Sequence, residues 1–177
     1  MLLSPIQNSA LLRQEWIQIR PRISQQFGND FTINGKWVYK EMGMDGHGGR
    51  DYAVPVGTPI FSPMDGVVKV KDSYSRGYGL HIKIRNKTDA QEFVLGHLSK
   101  VLVVNGQKVN MGDKIALSGN TGLSTNPHTH GGWRLLKQGE GDLFSWQVLN
   151  YKNGYFGYID YAEYEITWKG TYFRNVL

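Results

Sequence analysis

Short segments in which apolar and polar residues alternate make up most of the chain after residue 54. An alternation with a period of two is typical of β-strands that bury one face, and Gly, Pro, Asn or Asp separates the segments. No long segment shows the 3.6-residue period of an amphipathic helix, and the chain contains 22 glycines. The pattern therefore predicts an all-β domain whose antiparallel sheets are closed or sandwiched. The candidate strands are TPIFSP, GVVKVKD, LHIKIRN, EFVLGHL, KIALSG and HGGWRLL.

Two stretches, VGTPIFSPMDGVVKV and NGQKVNMGDKIALSG, share a weak internal similarity. Each runs from a glycine through a short apolar hook to a second glycine and then to a strand. Such paired hooks are typical of barrel-sandwich hybrids, the architecture of biotinyl and lipoyl carrier domains. Those carriers expose a lysine at a hairpin tip. No such lysine is evident in this sequence, which disfavours a carrier function.

Both ends of the chain differ from this central pattern. Residues 1–22 are interpreted as an N-terminal extension, in which residues 5–16 are expected to form a short helix. The stretch WIQIRPRISQQFG alternates apolar and polar residues, and its Pro21 predicts a position at a sheet edge. Residues 135–177 are rich in tyrosine, and their alternation predicts further strands that pack on the same domain. The alternative for this tail is an aromatic surface that binds sugars or a partner protein.

The composition of the chain excludes several classes of function. The chain has 177 residues, no cysteine and a formal net charge of +5. Thiol nucleophiles and cysteine-ligated zinc are therefore excluded. The basic excess favours anionic partners in general, but no block of like charges forms a nucleic-acid-binding arm. No stretch approaches the ~20 apolar residues of a membrane span, and the N-terminus lacks the basic leader of a secretory signal.

Two short motifs contain candidate metal ligands. His128 and His130 stand in NPHTH. Residues i and i+2 of a strand point to the same face with Cα atoms ~6.5–7 Å apart, so these two imidazoles can converge on one ion or one substrate. The motif GHGGRD places His47 four residues before Asp51, with glycines that let the loop bring both side chains together. Imidazole and carboxylate groups are both good zinc ligands. The alternative is that each motif is an ordinary polar turn.

The other two of the five histidines differ in their surroundings. His97, in FVLGHLSK, shares its strand parity with large apolar residues. It is either a core or rim side chain, or a side chain that reaches from a strand end into a pocket. His81 shares a strand face with Lys83 and Arg85, opposite the apolar residues of LHIKIRN. This placement predicts that His81 is a surface residue outside any site.

In their order along the chain, the motifs HGGRD, GHLS, SGNTG and NPHTH resemble those of the lysostaphin-type zinc peptidases, the LytM-like family of peptidoglycan endopeptidases. ISQQFGN is similar to the opening strand of that family, and DYAVPVGTPIFSPMDGVV is similar to the stretch after its first ligands. NGQKVNMGDKIALSGNTGLSTNPHTH is similar to the stretch before its last ligand. The resemblance covers residues 23–134, which are identified as a LytM-like peptidase core within a barrel-sandwich hybrid fold.

The resemblance implies one catalytic zinc ion held by His47, Asp51 and His130, with the fourth position left to water. It also implies that His97 and His128 are the catalytic histidines beside the metal. One would act as the general base, and the other would steady the oxyanion or protonate the leaving amine. The sequence does not assign these roles between them. It contains no His-Glu-x-x-His motif, so no glutamate base of that kind is available.

The function implied by the resemblance is zinc-dependent hydrolysis of peptide bonds in bacterial peptidoglycan, in the cross-bridge or the stem peptide. Such an enzyme acts at the bacterial cell wall. Without a secretory signal, the expected origin is a phage lytic protein, carried on the virion or released from the host cytoplasm at lysis, or a bacterial wall enzyme exported by another path. A virion or cell-wall component is a candidate partner of the tyrosine-rich C-terminus.

The alternative is a non-enzymatic phage-tail or cell-wall-binding module that keeps the peptidase fold, although such modules typically lose metal ligands.

Two glycines depart from the family pattern, and one tyrosine is a candidate for a further match to it. Where the family places a bulky aromatic and often an acidic residue after its last histidine, this chain has Gly131 and Gly132. This departure predicts a more open site on the side of the two glycines, with Trp133 packing from the opposite face. We expect the substrate specificity of the protein to be determined at these glycines. Tyr39 lies in a loop where family members often carry a tyrosine that assists the oxyanion. The alternative for Tyr39 is an aromatic side chain that packs the loop.

Overall fold

A computed structural model of the chain describes residues 2–3, 22–162 and 165–166. The helix predicted over residues 5–16 lies outside the described residues. Within the described part, the helices are short: α1 (Val38–Glu41) and a 3-10 helix at Leu143–Ser145. No helix among these residues has the length and apolar composition that crossing a bilayer requires.

Strands dominate the described part of the chain. They are β1 (Leu2–Leu3), β2 (Arg22–Gln25), β3 (Thr32–Ile33), β4 (Lys36–Trp37), β5 (Arg50–Ala53), β6 (Pro59–Phe61), β7 (Gly66–Asp72), β8 (Leu80–Asn86), β9 (Gln91–Gly96), β10 (Leu98–Val101), β11 (Lys108–Val109), β12 (Lys114–Ser118), β13 (Thr129–Leu135), β14 (Tyr158–Ile159) and β15 (Glu165–Ile166). The strands predicted from the alternation of apolar and polar residues correspond to β6, β7, β8, β9, β12 and β13. Their existence is therefore confirmed.

The main sheet has eight strands in the order β11-β7-β8-β9-β13-β5-β2, with β14 also paired to β13. All of its pairs are antiparallel. A smaller antiparallel sheet has the order β10-β12-β6, β3 pairs with β4, and β1 pairs with β15 in parallel. The predicted class, all-β with antiparallel sheets, is confirmed. Among the described residues the main sheet ends at β11 and β2 and does not close into a barrel. The edge position of β2 agrees with the prediction from the proline that precedes it.

Apolar side chains from both sheets form one core. The main sheet contributes Val68, Ile82, Ile84, Phe93 and Leu95, and the smaller sheet contributes Ile60, Leu98, Ile115 and Ala116. All of these side chains are buried. Burying one large apolar side chain contributes ~1.5–3 kcal/mol, so this cluster fixes the ladder of strands that carries the histidine motifs.

His81 and Arg85 on the polar face of β8 are buried too, so the prediction that His81 is a surface residue is wrong. His81 is 4% exposed, and the ring centroid of Tyr78 lies 5.7 Å from its own. On the same face, Arg85 donates hydrogen bonds to the backbone carbonyls of Leu143 and Trp146. The alternation correctly indicated which residues share a face. It could not indicate that distant segments cover that face.

A buried ionic network ties the C-terminal segment to the main sheet. Glu92 on β9 is fully buried and accepts hydrogen bonds from Arg85 Nε at 2.5 Å and from Arg134 Nε at 2.7 Å. The guanidinium carbon of Arg134 lies 4.7 Å from the ring centroid of Tyr158 on β14. The described strands of this segment, β14 and β15, have two residues each. The alternation of tyrosines predicts further strands in this segment, and β14 and β15 are the strands among its described residues.

Candidate metal centre

Strand pairing brings the histidine motifs together at one end of the main sheet. In the antiparallel register of β5 and β13, Asp51 lies directly opposite His130. His47 lies in the loop that leads into β5, and His128 precedes β13. His97 lies between β9 and β10, and β9 is the other neighbour of β13. The ladder therefore explains why residues far apart in sequence meet.

His47, Asp51 and His130 place one potential ligand atom each in a compact triangle. His47 Nε2 lies 2.9 Å from His130 Nδ1 and 3.1 Å from Asp51 Oδ1. The Asp51 Oδ1 and His130 Nδ1 atoms are 3.0 Å apart. All three residues are buried, and together they form a group that can hold one metal ion.

The dimensions of this triangle fit a small divalent cation. Ligand atoms that bind zinc tetrahedrally at ~2.0–2.1 Å lie ~3.3–3.4 Å from one another. The observed separations are slightly shorter, so a small outward shift of the side chains would complete the coordination geometry. Two imidazoles and one carboxylate make three protein ligands, which is the number that catalytic zinc sites use.

Electrostatics favour the ligand forms of Asp51 and His130. Burial raises the pKa of the Asp51 carboxyl, but hydrogen bonds from His130 and His47 outweigh burial and hold the pKa well below its usual range. Burial lowers the pKa of His130, and the hydrogen bond with Asp51 opposes this shift without reversing it. A metal binds ionised carboxylate and neutral imidazole, which are the forms favoured here.

His47 and His130 are oriented in different ways. The Nδ1 atom of His47 lies 3.1 Å from the backbone carbonyl oxygen of Gln26. Donation of the Nδ1 proton to this oxygen leaves Nε2 free to bind a metal. The Nε2 atom of His130 is buried and has no hydrogen-bond partner among the described residues. The orientation of the His130 ring therefore depends on the groups that pack against it.

His97 and His128 lie beside the triangle with their ring centroids 4.5 Å apart. The Nδ1 atom of His97 donates a hydrogen bond to the Thr121 carbonyl at 2.7 Å, which leaves Nε2 as a proton acceptor. Burial lowers the pKa of His97 to about 4, and His130 and His128 act in the same direction. The Nε2 atom of His128 lies 3.5 Å from Asp51 Oδ2. All five residues predicted for the site are therefore brought together.

The backbone at His97 explains how this side chain leaves the core. His97 has φ of +60°, in the left-handed region that non-glycine residues rarely adopt, and its N–H donates to the Tyr78 carbonyl at 2.8 Å. Such backbone conformations cluster at functional sites. Of the two alternatives from the sequence, the structure supports a side chain that reaches into the site from a strand end.

Tyr39 on α1 lies beside the first candidate ligand. Its ring centroid is 5.5 Å from that of His47, and its hydroxyl donates to Gln25 Oε1 at 3.1 Å. Burial raises the pKa of the Tyr39 hydroxyl, and Asp51 raises it further. The hydroxyl is therefore protonated at neutral pH, and in this structure its single proton is donated to Gln25. Its ring also packs edge-on against Phe31 at 6.0 Å, so it serves the packing of the loop as well.

Residues 45–141, more than half of the chain, match Peptidase family M23. The chain belongs to this family. The lysostaphin-type resemblance of the sequence is thereby confirmed, since the catalytic domain of lysostaphin from Staphylococcus simulans is among the similar M23 structures. That domain superposes with a TM-score of 0.54 at 27% identity, covering 72% of this chain and 88% of the lysostaphin domain.

Two further proteins are similar to this chain. The peptidoglycan DD-endopeptidase ShyA of Vibrio cholerae is 44% identical over 93 residues, which are 52% of this chain and 21% of ShyA. The catalytic domain of the prophage-encoded M23 protein EnpA from Enterococcus faecalis has a TM-score of 0.56 at 27% identity, covering 81% of this chain and 91% of that domain. The chain spans about a fifth of the length of the first curated relatives that it matches.

In this M23 domain, the two glycines after His130 do not open the site. A Cβ atom on Gly132 would lie 2.8 Å from Cε1 of Tyr158, and one on Gly131 would lie 2.5 Å from the hydroxyl oxygen of Tyr161. These tyrosines from the C-terminal segment occupy the volume that bulkier side chains would take. The prediction of a more open site is therefore wrong, because the sequence did not reveal which distant side chains fill the space.

Three residues around the M23 site were missed by sequence reasoning. Gln26 orients His47 through its backbone carbonyl, which any residue provides, so no sequence signal exists for it. Tyr78 stacks on the His130 ring with centroids 5.0 Å apart at an interplanar angle of 30°. Its position in a Gly-Tyr-Gly turn before β8 indicates a turn and no more. Tyr158 is one of many tyrosines in the tail, and only the fold distinguishes it.

Proposed function

We propose that this chain is a zinc-dependent endopeptidase that hydrolyses peptide bonds in bacterial peptidoglycan, in the cross-bridge or the stem peptide. One observation carries the proposal: an M23 domain holds the buried triangle of His47 Nε2, Asp51 Oδ1 and His130 Nδ1. Two further histidines lie beside the triangle. This constellation offers metal ligands and proton carriers together, which hydrolysis of an amide bond requires.

The donor set supports zinc as the metal. Two imidazole nitrogens and one carboxylate oxygen are typical zinc ligands, whereas magnesium and calcium prefer oxygen ligands alone. His47, Asp51 and His130 would hold the ion. When bound, zinc lowers the pKa of water to ~7 and polarises a carbonyl group.

His97 and His128 are proposed to carry the protons of the reaction. The Nδ1 atom of His97 donates to the Thr121 carbonyl, which leaves its Nε2 available to accept a proton from an attacking water. The Nδ1 atom of His128 lies 2.7 Å from the Asn126 carbonyl, and its Nε2 faces Asp51. We propose His97 as the general base, because the Nε2 atom of His128 already faces the Asp51 carboxylate. His128 would steady the oxyanion or protonate the leaving amine.

The proposed substrate follows from the named relatives. ShyA carries the name peptidoglycan DD-endopeptidase, and lysostaphin is named an antimicrobial peptidase. A shared M23 domain supports peptidoglycan as the substrate of this chain and the bacterial cell wall as its place of action. The bond that is cleaved would depend on residues around the shared metal centre.

Incubation of the purified chain with peptidoglycan, in the presence and absence of a chelator, tests the proposal. We expect new free amino groups, their loss with the chelator, and their return when zinc is added back. New reducing ends would indicate a glycosidase instead. Binding to peptidoglycan without either product would indicate a wall-binding module that keeps the peptidase fold. Each of these last two outcomes contradicts the proposal.

We also propose an organisation and an origin for the chain. Residues 23–134 form the catalytic core, residues 1–22 form an extension, and residues 135–177 pack on the same domain. The pairing of β14 with β13 supports this packing.

The similarity to prophage-encoded EnpA supports an origin as a phage protein, carried on the virion or released at lysis. The C-terminus is then a candidate contact to a virion or wall component. Antibody detection in purified virions or phage lysates tests this origin, and detection only in uninfected bacteria contradicts it.

A further inference from the structure

Tyr78 occupies the place of a missing side chain opposite His130. In the ladder between β9 and β13, Gly96 is the direct partner of His130. A Cβ atom on Gly96 would lie 3.1 Å from Cδ1 and 3.2 Å from Cβ of Tyr78. The Tyr78 ring therefore covers Gly96, and from there it stacks on the His130 imidazole at 5.0 Å. A larger residue at position 96 would displace this ring.

Tyr158 supports the same arrangement from the C-terminal segment. Its hydroxyl interacts with the hydroxyl of Tyr78. Its ring lies between two backbone segments that carry ligands, because a Cβ atom on Gly132 would lie 2.8 Å from Cε1 and one on Gly48 3.0 Å from Cδ2. Gly48 follows His47 directly, and Gly132 follows His130 by two residues. One aromatic ring thus contacts both segments that supply histidine ligands.

Arg134 and Glu92 hold the Tyr158 ring in place. The guanidinium carbon of Arg134 lies 4.7 Å from its ring centroid, and Arg134 is hydrogen-bonded to the buried carboxylate of Glu92. A continuous path of contacts therefore runs from Glu92 through Arg134, Tyr158 and Tyr78 to the ring of His130. Packing along this path can orient His130, whose Nε2 atom has no hydrogen-bond partner in the described part of the chain.

We propose that Tyr78, backed by Tyr158, is a positioning residue that fixes the His130 ring for metal binding. The inference rests on the proposed function, because it concerns the zinc affinity of the ligand triangle. Metal-bound histidines are usually oriented by a hydrogen bond from their second nitrogen, and loss of that partner lowers metal affinity ~10–100-fold. At His130, aromatic stacking takes over this role. Removal of the stacked ring should therefore weaken zinc binding to a similar extent.

The test is the zinc dissociation constant of the full chain, measured by competition with a chromophoric chelator. Tyr78→Leu, which removes the flat ring, and Tyr158→Ala, which removes its support, are expected to raise the constant ~10–100-fold. Tyr78→Phe keeps the stacked ring but loses the hydroxyl contact with Tyr158, so it is expected to raise the constant less than Tyr78→Leu does. Ile115→Ala, in the core of the smaller sheet, is the matched control: it lowers stability but leaves zinc affinity unchanged.

An unchanged dissociation constant in Tyr78→Leu overturns the inference. An equal loss of affinity in Ile115→Ala also overturns it, because the effect would then follow global stability. If Tyr78→Leu fails to fold, Tyr158→Ala decides by the same criterion. A wild-type chain that binds no zinc overturns the proposed function, and this inference with it. Zinc affinity unchanged by Tyr78→Leu in a zinc-binding wild type refutes the positioning role alone.

Discussion

The Nε2 atom of His47 lies 2.9 Å from the Nδ1 atom of His130, although 83 positions separate these residues in the sequence. The contact arises because the pairing of β5 with β13 puts Asp51 opposite His130, and the loop before β5 returns His47 to the same point. Two ring nitrogens this close need either a shared proton or a cation between them. Zinc binding and proton binding should therefore compete at this pair.

His130→Ala is expected to abolish both zinc binding and peptidase activity. The substitution removes one of three protein ligands, and the remaining imidazole and carboxylate cannot hold a catalytic ion firmly. Metal content after dialysis and release of free amino groups from peptidoglycan measure the two effects. A variant that retains one zinc ion per chain would contradict the ligand set of His47, Asp51 and His130.

His97→Ala is expected to keep the zinc ion and to lose turnover. His97 is proposed to accept a proton without contacting the metal, and a positioned general base contributes ~10²–10⁴-fold to a rate. We expect a decrease of that order in kcat at unchanged metal content. Loss of stoichiometric zinc in His97→Ala would instead place His97 among the ligands and contradict the division of roles.

His81→Ala is expected to lower stability without removing activity. His81 is 4% exposed, and loss of a buried side chain typically costs ~0.5–3 kcal/mol of unfolding free energy. Denaturant unfolding and turnover per folded molecule separate the two effects. Tyr74→Ala is a control in the preceding loop, since Tyr74 is 81% exposed and should change neither quantity. A hundredfold loss of turnover in folded His81→Ala would show that His81 belongs to the site.

The structure brings the five predicted site residues together, whereas His81, predicted to lie on the surface, is buried. Strand alternation reports which residues share a face, so His128 and His130 could be placed on one face, but the set of His47, Asp51 and His130 came from the resemblance to the zinc peptidases. Burial of a polar face depends on segments that arrive from elsewhere in the chain. The carbonyls of residues 143 and 146 cover β8, and Tyr158 fills the space beside Gly132. No local pattern encodes such long-range contacts.

Glu92→Gln is expected to destabilise the fold at neutral pH by ~3–5 kcal/mol, because the variant leaves buried guanidinium groups without their carboxylate. The effect should shrink in acid. Burial raises the pKa of Glu92, but Arg134, Lys83 and Arg85 outweigh it and hold the pKa below the ordinary value of 4.5. The stabilisation is therefore complete above pH 4.5 and is lost as the pH falls through the lower pKa of the folded state.

Denaturant unfolding of the wild type and Glu92→Gln across this pH range measures the effect. The wild type should lose stability more steeply in acid than the variant, so that the two curves converge. Asp51 also has a lowered pKa, but it is present in both proteins, and its contribution cancels in the difference. A stability difference that stays constant with pH would show that Glu92 does not stabilise the fold through its charge.

Gly131→Ala is expected to destabilise the fold, and Tyr161→Phe is expected to restore part of the loss. The Tyr161 hydroxyl donates to the Gly131 carbonyl at 3.0 Å, and a Cβ atom on Gly131 would lie 2.5 Å from its oxygen. Overpacking of this kind costs ~1–3 kcal/mol. Tyr161→Phe removes the colliding oxygen, so the double variant should be more stable than the sum of the single effects predicts, with a coupling energy of ~0.5–3 kcal/mol.

Restoration should be partial, because the same Cβ atom would lie 3.2 Å from the Tyr52 ring. Gly139→Ala is the control, since its nearest contact would be an ordinary 3.5 Å. Strictly additive losses in the four-protein unfolding cycle would show that the Tyr161 hydroxyl is not what excludes a side chain at position 131.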